Sequence, residues 1–251
     1  MIRLDIDVTN PGQFFGSCGL FELAHRLWSD TTARFEGSAF VLSQGNLREL
    51  VESAATATLS KLVPNDKTAS PMFLGPPFDL RLDWWKAASG DRAMKPWAGG
   101  TMLAFPIASA MQGSLLGTLD RGFFDDGRVV RRADNKKVEP FYFDARRGSN
   151  ALPLDIGFSP NELQLEAITF PATEFFTLIG LQRFRPRVVR PRVFRYTAWQ
   201  RAQPIRLAAL AAAQALPDGG VTLQFENAFR TDQRKHKAFT PAVPIHREGD
   251  D

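Results

Sequence analysis

Hydrophobic and polar positions change period several times along the chain, and each change predicts an element. Over residues 2–8, Ile2, Leu4, Ile6 and Val8 alternate with Arg3, Asp5 and Asp7, the two-residue period of a strand with one buried face. Thr9-Asn10-Pro11 closes that strand. Asn10 suits a helix N-cap, and Pro11 suits a first helical position because its φ is already set there. The helix predicted over 11–28 gathers Phe14, Phe15, Cys18, Phe21, Leu27 and Trp28 near one face. Gly16 and Gly19 weaken such a helix, so each is expected to admit a close backbone approach. A second helix is expected near 46–62, from Leu47, Leu50, Val51, Ala54, Thr58 and Leu62.

Pro64, Pro71, Pro76 and Pro77 punctuate loops, after which Phe78, Leu80, Leu82 and Trp84 alternate as a strand. Gly99-Gly100 marks a turn, and Ile107, Met111, Leu115 and Leu119 predict a helix over about 107–119. DDGRVVRRADNKK at 125–137 reads as a polar hairpin or loop, and Pro140 to Asp144 as a short aromatic strand. Pro171 opens a helix with Phe175, Phe176 and Ile179, and Gly180 lies near its end. Residues 183–199 cannot form a regular helix, because Pro186 and Pro191 interrupt them; an extended edge hairpin is expected. Ile205 to Leu216 predicts a helix and Val221 to Phe225 a strand. There is no repeat of solenoid period.

The expected class is α+β: mixed or antiparallel sheets with packed helices and an Arg-rich edge hairpin in the C-terminal half. The chain divides into regions 1–124 and 138–247, or forms one continuous domain over 1–247. Composition agrees, since 44% hydrophobic and 23% charged among 251 residues is too apolar for disorder. Mean hydropathy is −0.20, and no run approaches the roughly 18–20 apolar residues of a membrane span. Asp5 and Asp7 interrupt the first apolar residues, so no signal peptide is expected. A single cysteine, Cys18, allows neither an internal disulfide nor a Cys-based zinc cluster. A reducing cytoplasm is the expected compartment.

Charge adds more through its distribution than its total. Thirty-one Lys+Arg against 27 Asp+Glu leaves +4, which is modest. Yet no acidic residue lies between Glu174 and Asp218, an interval holding Arg183, Arg185, Arg187, Arg190, Arg192, Arg195, Arg201 and Arg206. Such an asymmetry points to a polyanion. In RFRPRVVRPRVFRY, Arg183, Arg185 and Arg187 fall on one face of an extended chain, and Arg190 and Arg192 repeat that spacing. Guanidinium forks bind phosphate oxygens in pairs, while Phe184, Phe194, Tyr196 and Trp199 either pack inward or stack on bases. RTDQRKHK adds Arg234, Lys235 and Lys237; Arg131, Arg132, Lys136 and Lys137 make a third cluster.

Candidate catalytic groups are sparse. His25, His236 and His246 fit no metal motif, and no metal or other cofactor is expected. Cys18 lies among phenylalanines, the surroundings of a small buried hydrophobe rather than a thiolate nucleophile. No GxxxxGK[ST] or GxGxxG loop occurs. Asp144-Ala145-Arg146-Arg147-Gly148 sets one carboxylate beside two guanidiniums, which suits an ion pair or a phosphate contact better than acid/base chemistry.

TNPGQFFGSCGLFELAHRLW at 9–28 resembles the N-terminal motif of a CRISPR-associated family of the Dpsyc, or type I-U (I-G), systems, described as like the large subunit of type I effectors. FYFDARRG at 141–148, LDIGFSP at 154–160, GLQRFRPR at 180–187 and YTAW at 196–199 are similar too. The resemblance implies a subunit of an RNA-guided surveillance complex, with CRISPR RNA, target DNA, other effector subunits and the helicase-nuclease as partners. This chain is much shorter than typical large subunits, so reading of a protospacer-adjacent motif does not simply transfer. The residues themselves leave three readings open. The first is a non-catalytic nucleic-acid-binding subunit that uses the arginines together with Arg146, Arg147, Arg234, Lys235 and Lys237. The second is a metal-independent ribonuclease using His25 or His236. The third is a protein-binding adaptor.

Overall fold

In the computed structural model, β1 (Ile2–Asp5) leads into α1 (Pro11–Leu27), followed by the hairpin β2 (Thr32–Glu36) and β3 (Ala39–Leu42). The structure describes residues 1–66, 70–87, 103–120, 122–132, 135–136, 138–147, 168–217, 219–229 and 237–245. Next come α2 (Leu47–Thr56), β4 (Leu59–Lys61), β5 (Met72–Leu74), β6 (Leu80–Leu82), α3 (Trp84–Ala87) and α4 (Ala104–Gly113). The C-terminal half holds α5 (Pro171–Arg183), β7 (Arg187–Arg190), β8 (Val193–Ala198), β9 (Gln203–Pro204) and α6 (Ile205–Ala212). It ends with β10 (Val221–Phe229), β11 (Lys237–Phe239) and β12 (Val243–Pro244). The class is α+β, and its paired strands are antiparallel.

Three sheets result. One runs β1-β3-β2-β9, a second β4-β5-β6, and a third β11-β10-β8-β7 with β12 also pairing with β10. In the first, Ile2 faces Leu42 and Phe35 faces Phe40. β9 joins a strand of the C-terminal half to this N-terminal sheet through Thr32 and Pro204.

Two helices form the centre. As expected, Asn10 caps α1 by accepting the Gly12 N–H at 3.0 Å, and Pro11 opens its first turn. Burial, however, is not confined to one face: every residue from Pro11 to Ala24 is buried, as is every residue of α5 from Pro171 to Leu181. Helices apolar all round belong inside a protein. They cross where glycine meets glycine. A Cβ on Gly19 would lie 1.9 Å from the Phe176 carbonyl oxygen, and one on Gly180 would lie 2.0 Å from that of Phe15. Only a residue without a side chain permits this approach.

A single hydrophobic cluster runs from Ile2 and Phe14 through Phe124 to Phe175, Tyr196 and Phe239, except that Tyr196 also turns its hydroxyl out to donate to the Val8 carbonyl at 2.7 Å. The described parts of segments 1–124 and 138–247 therefore share one core. Among the described residues no helix is long and apolar enough to cross a membrane.

Several elements differ from expectation. The helix expected over 46–62 ends at Thr56, and β4 occupies 59–61. The helix expected over 107–119 runs from Ala104 to Gly113, with a 3₁₀ turn at Leu116–Asp120. Residues 140–144 are not a strand. Tyr142 has φ 65°, and the N–H groups of Phe143 and Asp144 donate to the Glu174 carboxylate instead of a neighbouring strand.

Candidate nucleic-acid interface

The extended hairpin expected from Pro186 and Pro191 is present from Arg187 onward, and β7 is the edge of its sheet. The ladder sets Arg187 opposite Arg195 and Val188 opposite Phe194, then shifts by a bulge before Arg190 meets Val193. Pro191 and Arg192 turn the chain, Arg192 with φ 68°. Alternation sends Phe194 and Tyr196 inward, where Tyr196 stacks on Phe14 at 4.2 Å between ring centroids. Trp199 donates its indole N–H to the Ala33 carbonyl at 2.8 Å and stacks with Phe184. All four rings are buried. Of the two roles open to them, packing inward is the one observed, and none is available to a base.

The opposite face carries charge. Arg185, Arg187 and Arg190 are exposed, and among the described residues their side chains have no hydrogen-bond or ion-pair partner. Arg195 donates to Gln224 Oε1 at 2.9 Å. Arg192 lies 3.4 Å from Glu226, the single carboxylate paired with this hairpin among the described residues. Its guanidinium also sits 5.1 Å from the centre of the Phe229 ring, and the Lys237 ammonium sits 5.3 Å from the same ring. Pairing of Phe229 with Lys237 in β10 and β11 thus brings a residue of the second basic cluster to the tip of the first.

Two expected contacts are engaged elsewhere. Arg183 does not share an extended face with Arg185 and Arg187, because α5 stays helical through it. From the last turn it binds Glu22 of α1, whose side chain is 1% exposed. Burial pushes the Glu22 carboxyl up, but the guanidiniums of Arg183 and Arg26 outweigh it and hold the group below the usual carboxylate range. Arg146 binds Asp144 and Asp125, donates to the Phe124 carbonyl at 2.7 Å, and lies 3.6 Å over the Phe170 ring. It serves the ion-pair role. The Arg147 side chain, Arg234, Lys235, Lys137, His236 and His246 lie outside the described residues.

A polar hub that sequence reasoning missed joins α1, α5 and the 141–147 segment. Asn10 donates to Asp144 at 3.0 Å while its carbonyl oxygen accepts from Ala145 N–H. Glu174, fully buried, accepts from Phe143 and Asp144 N–H through Oε1, at 3.1 and 3.2 Å. Among the described residues its Oε2 has no hydrogen-bond partner. Burial, reinforced by the nearby Asp144 charge and opposed by backbone hydrogen bonds, pushes its carboxyl up to about 8. A lone Glu inside the apolar run PATEFFTLIG was the available signal.

No protein-family model, curated protein or solved structure matches this chain.

The remaining chemistry is sparse. Burial raises the Cys18 thiol well above its ordinary range, which leaves it protonated and inert. His25 keeps its Nδ1 buried without a hydrogen-bond partner among the described residues. Among the described residues no group of three or more His, Cys, Asp or Glu is placed to hold a metal ion. The arrangement can neutralise phosphates along one sheet edge.

Proposed function

We propose that the protein is a non-catalytic, nucleic-acid-binding subunit of a type I CRISPR RNA-guided effector complex, working in the cytoplasm. Its partners are CRISPR RNA, target DNA, the other effector subunits and the helicase-nuclease that cuts. The observation that carries the binding reading is the open row of Arg185, Arg187 and Arg190 beside Arg195, with one carboxylate paired to the hairpin among the described residues. The motifs at 9–28, 141–148, 154–160, 180–187 and 196–199 carry the assignment to an effector complex.

In such an assembly, base pairing with the guide reads the sequence while protein holds the backbone. A face of guanidiniums without exposed rings suits that division of labour, since phosphate contacts position a strand without specifying it. The hairpin edge is blunted by two prolines and a bulge, so side chains make the contacts.

Anisotropy of labelled RNA and duplex DNA, titrated at several salt concentrations, tests the binding reading. Each phosphate contact contributes a slope of about −0.7 for single strands and −0.9 for duplex. Arg185→Gln with Arg187→Gln should flatten the slope by roughly one to two units, equally for unrelated sequences. Negligible binding even at low salt would favour the adaptor reading instead. Incubation with labelled repeat RNA in EDTA should leave it intact; site-specific cleavage lost in His236→Ala would make the protein a ribonuclease.

A further inference from the structure

Among the described residues β1 is an edge of the first sheet and pairs with β3 alone. The hydrogen-bond parity of that pairing fixes which backbone groups point away from β3. Ile6 donates its N–H to the Ser38 carbonyl at 2.7 Å, in register with the Leu4–Phe40 and Ile2–Leu42 pairs. Residues that exchange both bonds recur at every second position of an antiparallel ladder, so Ile2, Leu4 and Ile6 bond to β3. The N–H and C=O groups of Arg3 and Asp5 therefore face outward, and among the described residues nothing bonds to them. Asp7, next in the series, gives its N–H to Gln13 Oε1 at 2.6 Å.

Other edges of the fold are protected. Pro186, Pro191 and a bulge interrupt β7, and β11 turns its Phe239 N–H to the Tyr142 carbonyl at 3.0 Å. β1 holds neither a proline nor a bulge, and an unprotected edge is a template for a further strand. Charge then selects that strand. Arg3 and Asp5 stand exposed on one face of the sheet. Arg3 and Arg34 share the Glu36 carboxylate, which leaves the trio one positive charge in excess. The Asp5 carboxylate has no hydrogen-bond or ion-pair partner among the described residues. The segment Ile2 to Ile6 is thus complementary to itself. An antiparallel copy centred on Leu4 sets Arg3 against Asp5 and Asp5 against Arg3, at the positions whose backbone groups point across. Centring the pair on Arg3 or on Asp5 would set like charges face to face, which destabilises.

We infer that β1 pairs with β1 of a second copy of this chain about a twofold axis at Leu4, joining two of the four-stranded sheets into one continuous sheet. Backbone hydrogen bonds from Arg3 and Asp5 of each copy hold the pair. Asp5 of each copy completes the charge of the Arg3, Arg34 and Glu36 trio on the other. Such a contact uses the same surface on both copies and closes at two, so it gives a dimer and no filament. A four-residue strand is a small interface, so the dimer is a weak, reversible one. The inference does not depend on the arginine hairpin.

Sedimentation velocity of the whole chain over a range of concentrations should show a monomer–dimer equilibrium, unchanged in Arg185→Gln with Arg187→Gln. Hydrogen exchange at the Arg3 and Asp5 N–H groups should slow as concentration rises. Asp5→Arg should weaken the dimer about tenfold or more, and so should Arg3→Asp, since each sets like charges opposite one another twice. Mixed in equal amounts, these two variants should form a heterodimer more tightly than either forms its own homodimer, because every facing pair is then of opposite charge. A folding defect cannot produce that rescue. A chain still monomeric at about 1 mM, a dimer indifferent to Asp5→Arg, or a mixture without heterodimer would overturn the inference. So would a dimer whose exchange protection falls outside β1, which would place the contact on another face.

Discussion

Arg187 and Arg195 stand directly opposite one another across the β7–β8 ladder, and among the described residues neither pairs with a carboxylate. Like charges at facing positions of an antiparallel pair destabilise it. The arrangement works against the fold and in favour of a polyanion, which separates it from the ion pairs that hold Arg146 and Arg183.

Arg187→Thr should therefore have effects of opposite sign on stability and on binding. Removing the facing charge and installing a good strand former should raise the unfolding free energy by a few tenths, at most about 1 kcal/mol. The slope of log affinity against log salt should fall by about 0.7 to 0.9. Urea melts and salt titrations on one preparation give both numbers. A destabilised variant would show that Arg187 supports the sheet.

Arg183→Gln should behave in the reverse manner. It leaves Glu22 buried with Arg26 alone, and because the Arg183 side chain is 35% exposed, solvent screening reduces the loss to roughly 1–3 kcal/mol. The salt slope should not move. Since the Glu22 carboxyl is held below its unfolded range, its contribution is present above the unfolded value of about 4.3 and disappears as pH falls through the lower folded one. Urea melts in that acid range should show a shallower loss for Arg183→Gln than for the parent. Equal slopes would remove Glu22 from the acid response.

How legible these features were depended on the range of the forces behind them. Asn10, Pro11 and the prolines at 186 and 191 act on their own backbone, so the start of α1 and the hairpin could be read directly. The ring positions in α1 were read as one face because periodicity cannot show that a second buried helix lies behind it. Gly16 and Gly19 did signal a close approach, but not its partner. The segment 140–144 looked like a strand through its aromatics, yet its N–H groups are satisfied by Glu174, some thirty residues away in sequence. Arg183 and Arg185 looked equivalent until the buried Glu22 tied one of them to α1.

Gly19→Ala should be among the most damaging single changes, because its Cβ would overlap the Phe176 carbonyl and the backbone there cannot swing aside. A loss of about 3 kcal/mol or more is expected, beyond ordinary overpacking. Phe21→Ala, fully buried on the same helix, should cost about 3–5 kcal/mol by opening a cavity. Chemical denaturation of the two variants beside the parent measures both losses. A stable Gly19→Ala protein would mean that α1 and α5 do not cross as closely as described.

Glu174 makes a prediction opposite in sign to that for Glu22. Its carboxyl titrates near 8 in the folded protein and near 4.3 when unfolded, so the folded chain keeps a proton that the unfolded chain has released. Stability should fall as pH rises between those values, by about 1.4 kcal/mol per unit at most, and level off above the folded value. Glu174→Gln retains an oxygen to accept the Phe143 and Asp144 N–H groups and carries no titrating proton. Its stability should exceed the parent's increasingly from about pH 5 to pH 8, the gap between the two curves being the quantity to measure. Parallel curves over that range would mean that Glu174 is ionised in the fold, with its Oε2 reached by a donor or by water.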